Sequence, residues 1–260
     1  MSPIHGFRGL ASILAGLLLT GVAGAADERP TLELRSGTQA TALVELYTSE
    51  GCSSCPPADR WLSSLKSSPQ LWQTLVPVAF HVDYWDYIGW PDRFADAAYG
   101  QRQRRHAREG RSSGVYTPGM FVDGAEWRSW RRGGAPTGSG AAVGTLAATL
   151  TDTAASIRFN PEPTIDGPFE ATVAFLGLDL TSQVRAGENR GRRLVNDFVV
   201  LGLRRVALKA GATIHQGQVP LGTVPADTGA VAVWVSRAGA LPPIQATGGW
   251  WLRAPTLALR

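Results

Sequence analysis

The sequence predicts an α/β core with an inserted helical segment, followed by a β-rich, sandwich-like module. Residues 41–83 have the order strand, turn, helix, strand, which indicates a parallel strand pair joined by a right-handed crossover. Beyond residue 153 the chain changes to short apolar runs separated by Gly, Pro and Asp turns. We therefore expect three parts: a signal peptide (1–25), the α/β domain (26–153) and the β-rich module (154–260).

The first 25 residues have the pattern of a secretory signal peptide. One arginine precedes an apolar run from Leu10 to about Val22, and small residues follow at positions 23–25. We expect a periplasmic or secreted mature chain with no stable membrane span after cleavage, in a compartment where disulfides persist. An uncleaved anchor from Gly9 to Ala26 is the alternative.

The charge balance gives no support for nucleic-acid binding. The chain has 25 Lys and Arg against 21 Asp and Glu, a net charge of +4, and 44% hydrophobic residues. The basic excess lies mainly in two short clusters, residues 101–108 and 189–194. The first is predicted to be a solvated helix face. The second is predicted to be a hairpin turn, or a loop that binds an acidic partner or packs on the core.

A strand, a turn and a helix surround the only two cysteines of the chain. Residues 41–48 combine β-branched, aromatic and leucine side chains over the length of a strand, and 49–51 supply a turn. The proline pair 56–57 lacks N–H groups that would have no helical partner in a first turn, and helical spacing follows. Cys52 and Cys55 are therefore expected between the strand and the start of the helix.

The two-residue spacing of the cysteines favours thiol–disulfide exchange over a structural role. A bridge between Cys52 and Cys55 closes a ring that stabilises by only about 1.9 kcal/mol, against about 3 kcal/mol for a 15-residue loop. In exchange, Cys52 would attack and Cys55 would resolve the mixed disulfide, provided that the sulfurs are open to an incoming chain. The positive end of the helix favours the Cys52 thiolate, whereas the neighbouring Glu50 opposes it.

A second strand, residues 74–83, ends in polar side chains. His81 and Asp83 share one face at its carboxyl end, where open α/β sheets bind their ligands. A copper or zinc site formed by Cys52, Cys55 and His81 is therefore an alternative. A lone histidine at a strand end more often makes a structural hydrogen bond, so we expect no metal and no cofactor.

Residues 84–113 form the predicted insert, aromatic at first and then a polar helix. The aromatic residues either pack on the sheet or cover the cysteines.

Pro118 then precedes a short apolar run and an Asp123-Gly124 turn. A proline in this position can be cis, which would expose backbone for pairing with an extended substrate. Residues 141–152 have helical composition and are expected to form the last helix of the core.

Three blocks together resemble a known family: ELYTSEGCSSCPPAD, HVDYWDYIGWPDRF and GVYTPGMFVDG. They are similar to the secreted bacterial family numbered 1223 among domains of unknown function, within the thioredoxin superfamily, and ENRGRRLVNDFVV resembles a weaker block. The resemblance implies a thioredoxin-like core with a redox-active cysteine pair and a cis proline facing it. The site residues so implied are Cys52, Cys55 and Pro118. We also expect Thr117, Ser53 and Ser54 to position the substrate.

Three functions are compatible with these patterns. The first is an exported thiol–disulfide oxidoreductase whose partners are protein or small-molecule thiols and disulfides of the cell envelope. The second is a binding or chaperone module with a structural disulfide, and the third is the metal carrier. The chain has no phosphate-binding glycine loop and no serine or zinc hydrolase motif. The sequence does not predict an oligomeric state.

Overall fold

The computed structural model describes residues 31–134, 136 and 138–251, so the predicted signal peptide lies outside the described residues. The described residues form two α-helices, α1 (Pro56–Ser64) and α2 (Ala97–Arg108), and short 3-10 helices at Leu65–Ser67, Asp83–Ile88 and Ser129–Arg132. The strands are β1 (Leu32–Arg35), β2 (Ala42–Thr48), β3 (Leu75–His81), β4 (Gly119–Val122), β5 (Ala125–Glu126), β6 (Gly144–Leu150), β7 (Ala154–Pro161), β8 (Phe169–Gly177), β9 (Leu180–Gln183), β10 (Arg193–Asn196), β11 (Val199–Ala210), β12 (His215–Pro220), β13 (Thr228–Arg237) and β14 (Pro243–Trp250).

One mixed sheet of 12 strands dominates the described part of the protein. Its main path has the order β1-β6-β7-β12-β11-β3-β2-β4-β5. Strand β8 joins at β11, and β13 and β14 follow beside β8. Strands β9 and β10 pair only with each other and form a hairpin.

The predicted fold class is wrong, because a large mixed sheet with few short helices replaces the α/β thioredoxin-like core. The predicted parallel pair of β2 and β3 is present, with Ala42 opposite Leu75. However, β11 pairs in parallel with β3, with Val199 opposite Ala79, and antiparallel with β8. Strands from both halves of the chain therefore share one sheet. Apolar periodicity identifies strands, but it does not select their partners. The domain division at residues 153 and 154 stays a prediction.

The predicted last helix is also wrong, since residues 144–150 form strand β6. Leu146, Ala148 and Leu150 are buried, and the residues between them are partly exposed, which is the period-two pattern of a strand. Strand β6 pairs antiparallel with both β1 and β7. Pairing on both edges outweighs the helical propensity of its alanines.

Two hydrophobic cores share strand β8. Ala174 and Leu176 belong to the core that also contains β2, β3 and the helices. Val173 and Phe175 belong to a second core formed with β6, β7 and β13. Alternate side chains of one strand thus pack into different cores, so β8 is buried on both faces.

Helix α2 confirms the polar helix predicted in the inserted segment. Asp96 caps its first turn, because its Oδ1 accepts a hydrogen bond of 2.8 Å from the Ala98 N–H. Arg105 and Arg108 lie in its last turn, where positive charge is favourable. Neither α-helix of the described chain has the length and apolar character that crossing a bilayer requires.

Candidate functional site

Cys52 and Cys55 form a disulfide in the turn between β2 and α1, with their Cα atoms 5.5 Å apart. The Cys52 N–H donates to the Ser49 carbonyl and the Cys55 N–H to the Cys52 carbonyl, each at 3.2 Å. Cys55 is the N-cap of α1, and its carbonyl accepts a 2.8 Å hydrogen bond from the Ala58 N–H. The predicted position of the cysteines at the start of a helix is confirmed.

Few backbone N–H groups in the first turn of α1 are available to donate hydrogen bonds to the two sulfur atoms. The proline pair 56–57 has no N–H, and the Ala58 N–H is already bonded to Cys55. The helix therefore acts on a thiolate mainly through its dipole. A direct contact comes from Ser54, whose hydroxyl oxygen lies 3.3 Å from the Cys52 sulfur. After reduction, this hydroxyl can donate to the Cys52 thiolate.

Both cysteines are covered in this conformation. Cys52 is 1% exposed and Cys55 is 0% exposed, although Ser53 and Ser54 between them face solvent. The open sulfur pair expected from the sequence is therefore not observed. An external thiolate can reach the disulfide only after part of its surroundings moves.

The tip of the β9–β10 hairpin, residues 184–192, lies against the cysteine turn. The Glu188 Oε2 accepts from the Ser53 N–H at 2.9 Å and from its hydroxyl at 2.6 Å. Asn189 is fully buried, and its Nδ2 donates to the carbonyls of Glu50 at 2.8 Å and Cys52 at 2.9 Å. The sequence predicted either a hairpin turn or a loop that packs on the core, and the segment is both.

The Thr117–Pro118 peptide bond is cis, as predicted. In the pairing of β2 with β4, Tyr47 lies opposite Gly119. Pro118 therefore immediately precedes the part of β4 that pairs with the end of β2, and the chain continues from that end into the cysteine turn. Pro118 thus precedes the start of β4 and the cysteines follow the end of β2, and these two strand ends are neighbours at the same edge of the sheet.

Trp85 connects the cysteine turn to Thr117. A Cβ atom added to Gly51 would lie 3.2 Å from the Trp85 Cβ. The Trp85 side chain therefore packs directly on the turn. The Trp85 Nε1 donates to the Thr117 Oγ1 at 2.7 Å, and the Trp90 Nε1 donates to the Glu50 carboxylate at 2.9 Å. The aromatic residues of the insert therefore both pack on the core and border the cysteine turn.

His81 pairs with a buried carboxylate. Its Nδ1 lies 2.7 Å from the Asp92 Oδ2, which also accepts from the Glu50 N–H at 2.8 Å. Burial alone would lower the pKa of His81, but the Asp92 carboxylate raises it above its usual value. With the cysteines joined in a disulfide and His81 bound to Asp92, the alternative metal site is not assembled. No other cluster suited to a metal ion occurs among the described residues.

Asp59, one turn along α1 from Cys55, is a site residue that the sequence reasoning missed. The residue keeps part of its surface exposed, but its carboxyl accepts a 2.7 Å hydrogen bond from the buried Thr48 hydroxyl. Burial raises the pKa of this carboxyl to about 6, although His81 and Thr48 act in the opposite direction. An aspartate in the first turn of a helix normally indicates only a favourable dipole contact, so no sequence signal distinguished it.

Glu188, Asn189 and Asp92 were also missed as site residues. Asn189 lies 137 positions from Cys52, which it contacts. The only signals were two blocks of the family resemblance: ENRGRRLVNDFVV begins with Glu188, and HVDYWDYIGWPDRF contains Asp92. Those signals marked the two segments but did not indicate their position in space.

The fold and the site define a mixed-sheet protein with a buried Cys-x-x-Cys disulfide at the start of a helix. Residues 43–236 match the sequence model of the family described as "Protein of unknown function (DUF1223)", and the chain belongs to this family. The predicted family membership is confirmed, whereas the thioredoxin superfamily assignment is not. No curated protein matches the chain.

Two solved structures have a similar fold. Protein AGR_C_4864 from Agrobacterium tumefaciens is 24% identical, with a TM-score of 0.62, covering 85% of this chain and 98% of that chain. HBP35 of Porphyromonas gingivalis is 14% identical, with a TM-score of 0.55, covering 86% of this chain and 80% of that chain. At these identities the likeness concerns the fold alone.

Proposed function

We propose that the protein is a thiol–disulfide oxidoreductase of the cell envelope whose disulfide reacts after the hairpin tip moves away. The main support is the placement of the Cys52–Cys55 pair at the start of α1, with the Ser54 hydroxyl on the Cys52 sulfur. A helix dipole and a hydroxyl donor both favour a thiolate at Cys52. Pro118 and Thr117, at the neighbouring strand end, would position an extended substrate.

The proposed reaction transfers two electrons between the cysteine pair and a substrate disulfide. In the reduced protein, the Cys52 thiolate attacks one substrate sulfur, forms a mixed disulfide and releases the other substrate sulfur as a thiolate. The Cys55 thiolate then attacks the Cys52 sulfur, which closes the Cys52–Cys55 bond and releases the second substrate thiolate. In the reverse direction, two substrate thiols are oxidised and the protein disulfide is reduced.

The hairpin tip would control this reaction. In the closed state the tip makes two hydrogen bonds to Ser53 through Glu188 and two to backbone carbonyls through Asn189. Opening breaks these contacts and frees Ser53 to contact the substrate beside the already exposed Ser54. A net cost of about 1 kcal/mol per hydrogen bond makes such opening accessible to a folded protein.

A structural disulfide in a binding module is the second candidate, and the complete burial of both cysteines favours it. The equilibrium reduction potential of the pair against glutathione distinguishes the two. A value near or above about −230 mV supports a working redox pair, whereas one below about −300 mV identifies a permanent bond and contradicts the proposal.

A variant of the tip tests its role in access. We expect Asn189→Ala to speed the reduction of the disulfide by glutathione about tenfold, because each tenfold change corresponds to about 1.4 kcal/mol and two hydrogen bonds are lost. The matched control is Arg190→Gln, an exposed residue of the same tip. Equal rates in the two variants would show that the tip does not limit access.

Accumulation of a mixed disulfide at Cys52 in the Cys55→Ser variant would independently support the assigned order of attack.

A further inference from the structure

A cleft of about 280 Å³ lies between α2 and the main sheet, and none of its lining residues belongs to the disulfide site. Three arginines of α2 form one wall: Arg102, Arg105 and Arg108. Arg205 of β11 and Trp234 of β13 lie on the sheet side. The loop after β13 closes one end.

The spacing of these residues explains why they meet. The α2 arginines recur every three positions, so they lie along one stripe of the helix. On the sheet, Thr172 is opposite both Arg205 and Trp234, so the three side chains stand in one row across neighbouring strands. The helix stripe and the sheet row are held by regular elements, and the cleft is therefore preformed.

The cleft has an excess of positive charge. Its lining contains four arginines and one acidic residue, Glu170. Arg102 is neutralised from behind by Glu45, with contacts of 2.8 and 3.0 Å. Arg105 donates to Glu109 at 2.7 Å and to a backbone carbonyl of the closing loop. Neither Arg108 nor Arg205 forms an ion pair with a carboxylate of the described residues.

The favourable interaction of arginines with the dipole at a helix C-terminus does not explain why four arginines line the cleft. The dipole explains Arg105 and Arg108 in the last turn of α2. It does not explain Arg205, which lies on a strand across the cleft. The Arg102 side chain is only 9% exposed, and Glu45 binds it on one side. Its Cζ atom lies 5.9 Å from the centre of the Trp234 ring. Its guanidinium is therefore a rigid, preorganised donor at the cleft.

We propose that this arginine cleft binds a small polyanion that carries two or more phosphate or carboxylate groups. Guanidinium groups present paired donors that match the oxygens of both groups. The volume is near the lower end of small-molecule sites, which suits a compact ligand rather than a nucleotide cofactor. Bound anionic oxygens would also relieve the repulsion between the unpaired arginines. The proposal is independent of the redox function.

Titration calorimetry and thermal unfolding of the mature chain test the proposal, with pyrophosphate and citrate as probes and sodium chloride at matched ionic strength as the blank. We expect saturable binding of at least one probe, with a rise in the unfolding midpoint beyond that of the blank. Arg205→Gln and Arg108→Gln should each weaken binding about tenfold. The matched control is Arg158→Gln, an exposed strand arginine outside the cleft, which should bind as the wild type does.

The outcomes separate the ligand classes. Binding of pyrophosphate alone assigns a phosphate ligand, and binding of citrate alone assigns a carboxylate ligand, provided that the loss follows Arg205 and Arg108. The proposal is overturned if neither probe binds beyond the blank. It is also overturned if Arg158→Gln weakens binding as much as the cleft variants do. Circular dichroism of each variant confirms that a loss of binding does not reflect a loss of folding.

Discussion

The environments on the two faces of strand β2 shift the pKa of a carboxyl group in opposite directions. Towards α2, Glu45 is fully buried and accepts hydrogen bonds from Arg102 and from the Tyr47 hydroxyl. Burial alone would raise the pKa of Glu45, but Arg102 holds it well below its usual range. Towards α1, Asp59 accepts from the neutral Thr48 hydroxyl, and its pKa is raised to about 6. Residues 45 and 48 of one strand point to opposite faces, so these environments are separate.

The difference shows that the partner, more than burial, decides whether a carboxyl can titrate near neutral pH. A bidentate guanidinium keeps Glu45 ionised and makes it part of the framework that supports the arginine cleft. A hydroxyl donor cannot offset the loss of solvent around Asp59. The α1 face, which contains the disulfide, therefore has a group that changes charge in the physiological range.

The largest expected effect comes from breaking the Glu45 pair. We expect Arg102→Met to destabilise the protein by about 3–5 kcal/mol at pH 7, because it leaves a buried carboxylate without its cation. Urea unfolding measures the change. Arg104→Gln, an exposed residue of the same helix, should cost less than about 1 kcal/mol. Adding Glu45→Gln to Arg102→Met should recover part of the loss, and a double variant as unstable as the single one would contradict this explanation.

Asp59→Asn should stabilise the protein at pH 7.5 by about 2 kcal/mol, given about 1.4 kcal/mol per pKa unit and allowing for the residue's remaining exposure. The pKa of Asp59 is raised in the folded state, so its contribution to stability is greatest below its usual pKa of 3.8 and falls as the pH rises through about 6. The gain should therefore disappear by about pH 4.

Unfolding midpoints at several pH values measure this dependence. Asp152→Asn, at an exposed position, is the control and should show no such trend. A gain for Asp59→Asn that is equal at both ends of the pH range would mean that the Asp59 carboxyl does not titrate as described.

His81→Gln should have the smallest effect, about 1–2 kcal/mol, because glutamine retains a donor for Asp92. The folded pKa of His81 is raised above 6.5, so the stabilisation from its charge is fully present below that pH and is lost as the pH rises through the folded value. We expect the cost of the substitution to be larger at pH 5.5 than at pH 9, measured by urea unfolding. A cost independent of pH would show that His81 acts only through its hydrogen bond.

Local signals predicted the segment around the cysteines but not the sheet. The proline pair at 56–57 and the apolar runs of β2 and β3 act over a few residues, and the structure confirms what they indicated. The alanine-rich segment of β6 misled the prediction, because its conformation depends on pairing with β1 and β7. The position of β11 beside β3 likewise depends on contacts between residues 120 positions apart, such as Ala79 and Val199.

By itself, the sequence determined the cysteine spacing and the strand–turn–helix around it, because these features depend on neighbouring residues. Only the tertiary structure decided that the disulfide is covered and that Glu188 and Asn189 of a distant hairpin bond to the cysteine turn. It also decided which carboxyl titrates, since the environments of Glu45 and Asp59 come from elements that meet only in the folded chain. Burial and charge are properties of that assembly, and for this reason they could not be predicted from the local sequence.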